Sequence, residues 1–556
     1  MKDLLQETLE KALREYARKK SAPLPPDLQP ELVPGRDPSH GDYSTSIAFK
    51  LAGRVKEKPA VIAAELLEII AKEIEKQSEG KKAAARWELA GGGFINFFVS
   101  SSRRGEVLRE ILTQDTRFGS SDLGKGKKVL IEFVSANPTG PLTIAHGRQA
   151  VIGDALARIL KATGHGVTKE YYLNDCGRQI ELLGESQWVR YQEQFGVKNE
   201  IPEEGYQGKY LINSAGLLGR QKGDSLLKKP PAEAVEECKR FAVEKILEGI
   251  KKDLQEIRVE FESFVSEESI RGKKLVERAL ELLRSKDVVY ENEGALWFRS
   301  TKFGDDKDRV LRKSTGDYTY LAPDIAYHWT KFERKFEWLV NLWGPDHHGY
   351  IPRLKAACEA LGYDPKQLTI LIVQLVTLYR KGEPVRMSTR AGEFVTLREL
   401  FEEVGVDATR FFFLLRRVES HLDFDLDLAK TRSDENPVYY LQYAHARISS
   451  ILKFAHRKVN PKAEVDRLGA SEEIELIKKL ADYPAVLIQS AQALEPHRVV
   501  DYLRELAAQF HKFYALHRVV TEDEELTRAR LLLADGIRIV IRNGLSALGV
   551  SAPETM

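Results

Sequence analysis

The stretch VLIEFVSANPTGPLTIAHGR, residues 129–148, decides the fold. Residues 129–134 are almost entirely apolar, which predicts a buried strand, and residues 135–142 contain two prolines and a glycine. The apolar residues that follow keep helical spacing. A helix start after such a loop offers unpaired N–H groups and a partial positive charge to phosphates. His146 and Arg148 add side-chain donors at the same place, so the stretch predicts a nucleotide site.

Length and composition narrow the class of protein. The chain has 556 residues, too many for one ordinary domain, with 43% hydrophobic and 30% charged residues, as in soluble globular proteins. No apolar run approaches the roughly 20 residues that span a bilayer, and the charged N-terminus is not a signal peptide. The net charge of +2 does not by itself indicate a nucleic-acid binder. Three cysteines without paired spacing disfavour a disulfide framework or a zinc ribbon and favour a cytoplasmic location.

Strand and helix patterns alternate in the middle of the chain, which predicts a parallel sheet. The fold class is therefore multidomain α/β, with a Rossmann-like parallel-sheet catalytic domain, an N-terminal α+β domain and a C-terminal all-α bundle. The predicted strands are 93–99, 129–134, 167–173, 338–342 and 368–373, and the predicted helices include 1–20, 60–76, 232–258 and 270–284. The predicted domains are 1–120, 121–400 with an inserted lobe at about 185–290, a connecting segment at 401–435, and a helical domain at 436–556.

Two apparent motifs have simpler explanations. Residues 119–125 nearly match a P-loop, but Gly126 stands where Ser or Thr should bind magnesium, and the segment precedes a strand. We interpret it as a basic surface turn. Residues 346–348 combine one Asp and two His, which are possible metal ligands, but adjacent histidines point different ways and no third His or Cys lies nearby. We therefore predict no protein-bound metal centre.

Polar loops follow two of the predicted strands. Residues 344–349 come directly after the strand 338–342, at the carboxyl end where open α/β sheets bind ligands. Residues 386–392 carry two arginines with Ser and Thr, which can neutralise a transferring phosphate. A helix-capping turn and a solvated basic loop are the alternative interpretations. The position of residues 344–349 at the carboxyl end of a predicted strand favours ligand binding over these alternatives.

An acidic set indicates a planar cation. Tyr320 and Asp324 lie four residues apart and share a face in a helical turn, and Glu267 lies in a Ser-Glu-Glu-Ser loop. Carboxylates bind a guanidinium group bidentately, and an aromatic ring stacks on it. Surface acids are common, so this set is weak evidence when taken alone.

Together these segments resemble the class I arginyl-tRNA synthetases over nearly the whole chain. Residues 135–142 are similar to that family's lead-in to the HIGH signature, and a Rossmann-like sheet alone would not be specific. The further matching segments are 170–175, Gly177 with Gln179, 344–352, 410–414, 420–425, 440–447 and 548–554.

The resemblance implies attachment of L-arginine to tRNA(Arg) through an arginyl-adenylate, with ATP as substrate and Mg2+ as cofactor. It also implies a cytoplasmic monomer without a membrane segment, whose C-terminal bundle binds the anticodon. The implied catalytic residues are His146, Thr143, Arg386, Ser388 and Arg390. The implied arginine-binding residues are Asn137, Glu267, Tyr320 and Asp324. The implied ATP-binding residues are Ser135, Ala136, Gly140, Ala145, His146, Gly147, Gly344, Asp346, His347, His348 and Met387. The implied tRNA contacts are Phe94, Asn96 and Tyr514.

Both signatures depart from the family pattern. The HIGH segment has Thr143 for its first histidine and Ala145 for its glycine, and the second signature has Arg386 and Thr389 for its lysines. Arginine retains the positive charge and gains bidentate geometry. Two alternatives therefore remain: a catalytically weakened paralogue that still binds tRNA, and a class I synthetase for another amino acid. A nicotinamide dehydrogenase is disfavoured because no G-x-G-x-x-G loop occurs.

Overall fold

An antiparallel sheet organises the N-terminal part of the chain. The structure is a computed structural model that describes residues 2–21, 28, 30–34, 41–77, 84–99, 101–385 and 395–556. The N-terminal elements are α1 (Lys2–Lys20), β1 (Val33–Pro34), β2 (Tyr43–Thr45), α2 (Ile47–Val55), α3 (Pro59–Glu75), β3 (Arg86–Ala90) and β4 (Phe94–Phe98). The strand order is β1-β2-β4-β3, and every pair is antiparallel. Helix α3 starts at a proline, whose fixed φ suits a first turn, and it buries its apolar face against α1. The predicted α+β unit is present.

A five-stranded parallel sheet forms the centre of the molecule. Its order is β12-β11-β5-β6-β7. The elements of this part of the chain are α4 (Ser101–Gln114), β5 (Lys128–Glu132), α5 (Ile144–Ala162), β6 (Gly166–Leu173), α6 (Arg178–Glu193), α7 (Lys209–Lys222), α8 (Pro231–Glu256), β7 (Ser263–Ser266), α9 (Glu267–Gly272), α10 (Leu275–Ser285), β8 (Val289–Asn292), β9 (Ala295–Phe298), β10 (Arg309–Arg312), α11 (Leu321–Glu333), β11 (Trp338–Trp343), α12 (Ile351–Leu361) and β12 (Leu368–Ile372). The parallel Rossmann-like sheet predicted from the alternation is confirmed.

Helix α5 packs closely on the sheet because it carries a glycine at the contact. A Cβ atom on Gly153 would lie 2.3 Å from the ring of Phe133, which follows β5. Any larger side chain would therefore push the helix away from the strand. This close approach fixes the start of α5 at the carboxyl end of β5, where the predicted nucleotide loop lies.

Two insertions interrupt the alternation. Helices α6, α7 and α8 share a small apolar core that includes Tyr191, Leu218 and Cys238. The strands β10, β9 and β8 form a separate antiparallel sheet that the sequence pattern did not reveal. The helix predicted at 270–284 is wrong as a single element: it is divided into α9 and α10, because Lys274 has φ +54°, a left-handed conformation that ends a helix.

Further strands follow β12 before the chain becomes helical. The remaining elements are β13 (Val376–Arg380), β14 (Glu383–Pro384), α13 (Leu397–Val404), α14 (Val406–Phe413), β15 (Leu422–Asp425), α15 (Leu426–Lys430), α16 (Pro437–Phe454), α17 (Ser471–Ala493), α18 (His497–Leu516) and α19 (Glu524–Ala547). β13 pairs with β14 and, in parallel, with β15. The predicted C-terminal helical bundle is confirmed, and its core is continuous with that of the central sheet. Among the described residues, no helix combines the length and the apolar character that a bilayer crossing requires.

Candidate active site

A cavity of about 650 Å3 lies at the carboxyl ends of β5, β6 and β11. This is the edge at which open α/β sheets bind ligands. The predicted site residues that line it are Ser135, Ala136, Asn137, His146, Glu267, Tyr320, Asp324, Gly344, Asp346 and His347. Residues far apart in the sequence are therefore brought to one place.

The loop after β5 has an unusual backbone. Val134 has φ +68° and Ser135 has φ +38°, and for a β-branched residue such as valine this conformation is an outlier. Two hydrogen bonds from β6 hold the loop: the Tyr171 hydroxyl donates to the Ala136 carbonyl at 2.7 Å, and the Tyr172 N–H donates to Ser135 Oγ at 3.1 Å. Strained backbone persists where the surroundings over-determine it, often at functional sites. The loop is thus a fixed surface of the cavity.

His146 lies in the first turn of α5 as a neutral hydrogen-bond donor. The Thr143 N–H donates to His146 Nδ1 at 3.2 Å, and Thr143 Oγ1 lies at the same distance from that nitrogen. Burial lowers the pKa of His146 to about 4. A neutral imidazole whose Nδ1 accepts a hydrogen bond carries its proton on Nε2. His146 therefore offers an N–H donor beside the positive end of a helix, which suits a phosphate oxygen.

Not every residue of the signature lines the cavity. Of the described residues assigned to ATP or catalysis, Thr143, Gly140, Ala145, Gly147 and His348 lie outside the lining set. Gly147 serves packing instead: a Cβ there would lie 2.5 Å from Leu397 Cδ1. Thr143 is the N-cap residue of α5 and contacts His146.

Three carboxylates form an acidic wall of the cavity, and they differ in their partners. Glu132 is paired with the fully buried Lys331. Glu267 Oε1 accepts hydrogen bonds from Arg271, at 2.9 Å from Nε and 2.6 Å from Nη2. Asp324 accepts a hydrogen bond from the Tyr350 hydroxyl at 2.6 Å, and no cation of the described chain forms an ion pair with it. Glu267 is the first residue of α9, so its prediction as a loop residue is wrong.

Burial and like charge act together on Asp324. Burial raises its pKa to about 7, the hydrogen bond from Tyr350 acts in the opposite direction, and Glu132 and Glu267 add to the rise. A carboxylate in this environment is poised to gain a cation. A guanidinium group entering the cavity would supply that cation.

A buried polar chain supports the acidic wall from behind. His328 Nδ1 lies 2.8 Å from the Asp324 carbonyl, and its Nε2 lies 2.8 Å from Asn341 Nδ2. Burial holds the pKa of His328 well below its usual value, so the ring is neutral and donates through Nδ1. Asn341 Oδ1 in turn accepts from Lys331 at 3.4 Å. These contacts fix the backbone that carries Asp324.

Several tyrosines of the cavity were missed from the sequence. Tyr172 and Tyr327 have ring centroids 4.5 Å apart, and burial together with Glu267 and Asp324 raises the pKa of Tyr172 well above its usual value. Tyr320, which the sequence did predict, precedes α11 at the rim of the cavity and is 79% exposed. Tyr172 lies inside a segment that carries the family resemblance, and this position was the available signal. Aromatic rings beside carboxylates complete a guanidinium-binding environment.

Amide side chains occupy the side of the cavity near the loop. Asn137 Nδ2 donates to Gln179 Oε1 at 2.6 Å. Asn174, in the amide orientation that satisfies its contacts, donates to Glu267 Oε2 at 3.1 Å. Two of the residues predicted to bind the amino acid, Asn137 and Glu267, therefore each have an amide partner.

The turn after β11 contributes a third side. A Cβ at Gly344 would lie 2.6 Å from Asp346 Oδ1, so any larger residue would require the exposed Asp346 side chain to move. His347 Nε2 lies 3.3 Å from Asp346 Oδ2. Among the described residues, no three His, Cys, Asp or Glu side chains form a cluster that could hold a metal ion.

The second signature loop cannot be placed. Arg386, Met387, Ser388, Thr389 and Arg390 lie outside the described residues. Their assigned roles stay predictions. β13 and β14 separate this loop from β12, which the sequence pattern did not indicate.

The predicted tRNA contacts lie away from the cavity and differ in exposure. Phe94 is 40% exposed and its ring lies 5.0 Å from that of Phe49. Asn96 is buried in β4 at 3% exposure, so its assignment to a direct contact does not suit its position. Tyr514 on α18 lies under the guanidinium of Arg447, 4.8 Å from the ring centroid, and lines a second cavity of about 350 Å3.

Family models match three consecutive parts of the chain. They are an arginyl tRNA synthetase N terminal domain over residues 1–99, a catalytic domain of class I (R) tRNA synthetases over 107–412, and a DALR anticodon binding domain over 441–556. The parallel sheet and the cavity at its carboxyl edge are thus those of a class I tRNA synthetase.

Individual relatives agree along the full length. The arginine–tRNA ligase of Desulfosudis oleivorans is 48% identical over 538 residues, which cover 96% of this chain and 95% of that protein. The arginine–tRNA ligase of Bacillus subtilis is 43% identical and covers 100% of this chain and 99% of its own. The structure of Thermus thermophilus arginyl-tRNA synthetase has the same fold, with a TM-score of 0.75 at 24% identity over 99% of this chain and 100% of that one. The chain belongs to the arginyl-tRNA synthetase family.

Proposed function

We propose that this chain attaches L-arginine to tRNA(Arg) at the expense of ATP. The observation that carries the proposal is that two kinds of group line one cavity. One wall offers a neutral imidazole donor at a helix start, and the other offers carboxylates and tyrosines. The first suits phosphates and the second suits a guanidinium group.

The reaction has two steps. A carboxylate oxygen of arginine attacks the α-phosphorus of ATP, the bond to the leaving pyrophosphate breaks, and arginyl-adenylate forms. A terminal ribose hydroxyl of the tRNA then attacks the arginyl carbonyl carbon, and AMP leaves. Neither step requires a covalent enzyme nucleophile, so the protein contributes positioning and electrostatic stabilisation.

Each wall has a separate task in this scheme. Asp324 and Glu267 hold the guanidinium group while Tyr320 covers it at the rim, and Asn137 binds the α-amino end. His146 donates from Nε2 to a phosphate oxygen of ATP. Ser135, Ala136, Gly344, Asp346 and His347 would surround the nucleotide. The loop at 386–390 would stabilise the leaving pyrophosphate with its arginines.

Mg2+ would enter with the nucleotide. The described chain offers no cluster of three protein ligands for it. Magnesium often keeps several waters and binds through substrate phosphates with one or two carboxylates. We therefore assign the ion to the phosphates of ATP, where it would offset their charge.

We further propose that tRNA binds along the N-terminal and C-terminal units. Phe94 is exposed on the first, and Tyr514, with the half-buried Arg447 over its ring, is exposed on the second. Aromatic rings and arginine planes stack on unpaired bases. We also propose that the protein acts as a monomer in the cytoplasm. Its three cysteines are free thiols, which suits a reducing compartment.

A charging assay tests the proposal. Total tRNA is incubated with the protein, ATP and each labelled amino acid in turn, and ATP is omitted as the control. We expect arginine, and no other amino acid, to enter acid-precipitable tRNA. Binding of tRNA without charging would favour the weakened paralogue, and charging with a different amino acid would favour the other alternative. Neither alternative is favoured by the family comparison.

A further inference from the structure

A guanidinium group of the protein already occupies one carboxylate of the cavity. Arg271 lines the cavity, and both its Nε and its Nη2 donate to Glu267 Oε1. The other oxygen, Oε2, accepts from Asn174. Glu267 therefore has partners on both oxygens before any substrate enters.

A second guanidinium group at Glu267 would have to compete with the first. Two cations that share one carboxylate repel each other, and the donors of Arg271 and Asn174 already use most of its lone pairs. The proposed substrate carries this same group. Arg271 thus already forms with Glu267 the ion pair that the guanidinium group of the substrate would form.

A comparison of Arg271 with Lys331 shows which of these two cations can leave its carboxylate. The Lys331 side chain is 0% exposed where it pairs with Glu132, so removing it would leave buried charges unpaired. The Arg271 side chain is 41% exposed where it pairs with Glu267. Its guanidinium can therefore move into water with little change in its solvation. The helix that carries it, α9, is short and contains only the residues Glu267–Gly272.

We propose that Arg271 is an internal competitor of the substrate's guanidinium group, which holds Glu267 in the empty cavity and thereby sets the arginine KM. This inference rests on the proposed function. Arg271 keeps the carboxylate hydrogen-bonded between turnovers and leaves it when arginine binds. Asp324 meets no such competitor and is the first carboxylate available to the substrate.

The test compares Arg271→Gln with the matched control Arg284→Gln. Arg284 lies on α10, with a side chain 46% exposed and paired with Glu291, and it is not among the residues that line the cavity. In steady-state charging, Arg271→Gln should lower the arginine KM roughly two- to fivefold, the range that a half-exposed ion pair permits, and leave the ATP KM unchanged. Arg271→Lys should give an intermediate value, because lysine keeps the charge without the fork geometry. Arg284→Gln should change neither constant.

A double variant ties the effect to Glu267. In a Glu267→Gln background, Arg271→Gln should no longer lower the arginine KM. Calorimetric titration of arginine into each protein should give the same order of affinities. An unchanged or raised arginine KM in Arg271→Gln overturns the proposal and would make Arg271 a positioning residue for Glu267. If the unaltered protein neither charges tRNA with arginine nor binds it, the proposed function itself fails; if it charges arginine and Arg271→Gln does not tighten binding, only the competitor role fails.

Discussion

The two walls of the cavity are built in different ways. The wall at residues 134–146 is made of backbone: two left-handed residues and the first turn of α5. The wall of Glu132, Glu267 and Asp324 is made of side chains from separate elements. The backbone wall depends on packing that keeps α5 against β5. The acidic wall depends on the balance of charges among its members.

Their electrostatics differ as well. Burial lowers the pKa of His146 to about 4, so the backbone wall keeps one protonation state from mildly acidic to alkaline pH. Burial raises the pKa of Asp324 to about 7, so the acidic wall changes its charge near neutrality. A perturbed carboxyl in a cleft is a feature of functional sites. The comparison predicts that arginine binding responds to charge and pH, while nucleotide binding responds to packing.

The largest expected effect follows from removing the unpaired carboxylate. Asp324→Asn leaves the size of the side chain almost unchanged and removes its charge. The kcat/KM for arginine should fall by roughly two to three powers of ten, because loss of one partner of a buried ion pair costs about 3–5 kcal/mol. The ATP KM should stay within about twofold, since Asp324 would contact arginine and not the nucleotide. Charging kinetics with each substrate varied in turn measure both.

Glu268→Gln is the matched control for this variant. Glu268 is an exposed carboxylate next to Glu267 and does not line the cavity. It should behave like the unaltered protein. Equal losses for arginine and ATP in Asp324→Asn would remove Asp324 from the guanidinium site and would erase the distinction between the walls.

The pH dependence gives a smaller effect with a definite sign. Below pH 7 the free Asp324 carboxyl becomes protonated and loses its attraction for the guanidinium group, so kcat/KM for arginine should fall about tenfold per pH unit on the acid side. The ATP KM should change little between pH 6 and 8, because His146 is already neutral there. Tyr350→Phe removes a hydrogen bond that lowers the pKa of Asp324, so it should move the inflection to higher pH.

An inflection that Asp324→Asn fails to abolish would assign the titration to another group. A Tyr350→Phe inflection that moves to lower pH would contradict the assigned role of that hydroxyl. Both outcomes are read from pH profiles of arginine kcat/KM, with the profile of ATP kcat/KM as the internal reference.

Most of the fold could be predicted because its signals are local. The apolar runs that became β5, β6, β11 and β12 and the spacing of the C-terminal helices depend on neighbouring residues only. The small sheet β8–β10 was missed because each of its strands has only four residues. The break between α9 and α10 was missed although Gly272 ends α9, because the left-handed residue itself is Lys274 and not a glycine or asparagine.

The sequence predicted the part of the site that lies in one continuous segment of the chain. The loop at 135–142 shows its prolines and glycine in the sequence, whereas the pairing of Glu132 with Lys331 depends on where α11 packs against β5. The pairing of Glu267 with Arg271 is local, because the two residues lie four apart in α9. The sequence indicated Asp324 through its distance from Tyr320, but no pattern indicated Tyr350. Family resemblance supplied the assignments that spacing could not. The family resemblance did not predict which carboxylates of the acidic wall are paired with cations of the protein.

The smallest expected effect concerns the packing behind the backbone wall. Gly153→Ala places a Cβ against the ring of Phe133, so it should lower the free energy of unfolding by about 1–3 kcal/mol, as overpacking does. Gly249→Ala is the matched control, because Gly249 lies within α8 with open space around it. That variant should raise the free energy of unfolding by about 0.5–1 kcal/mol through helix propensity. Thermal melting of both variants measures the difference in sign.

The same pair of variants connects packing to the first wall. Displacing α5 at Gly153 also displaces His146 at its start, so Gly153→Ala should raise the ATP KM while the arginine KM stays nearly constant. This is the reverse of the pattern expected for Asp324→Asn. If Gly153→Ala instead melts at the same temperature as Gly249→Ala, the contact between α5 and Phe133 tolerates a methyl group, and the backbone wall does not depend on that close approach.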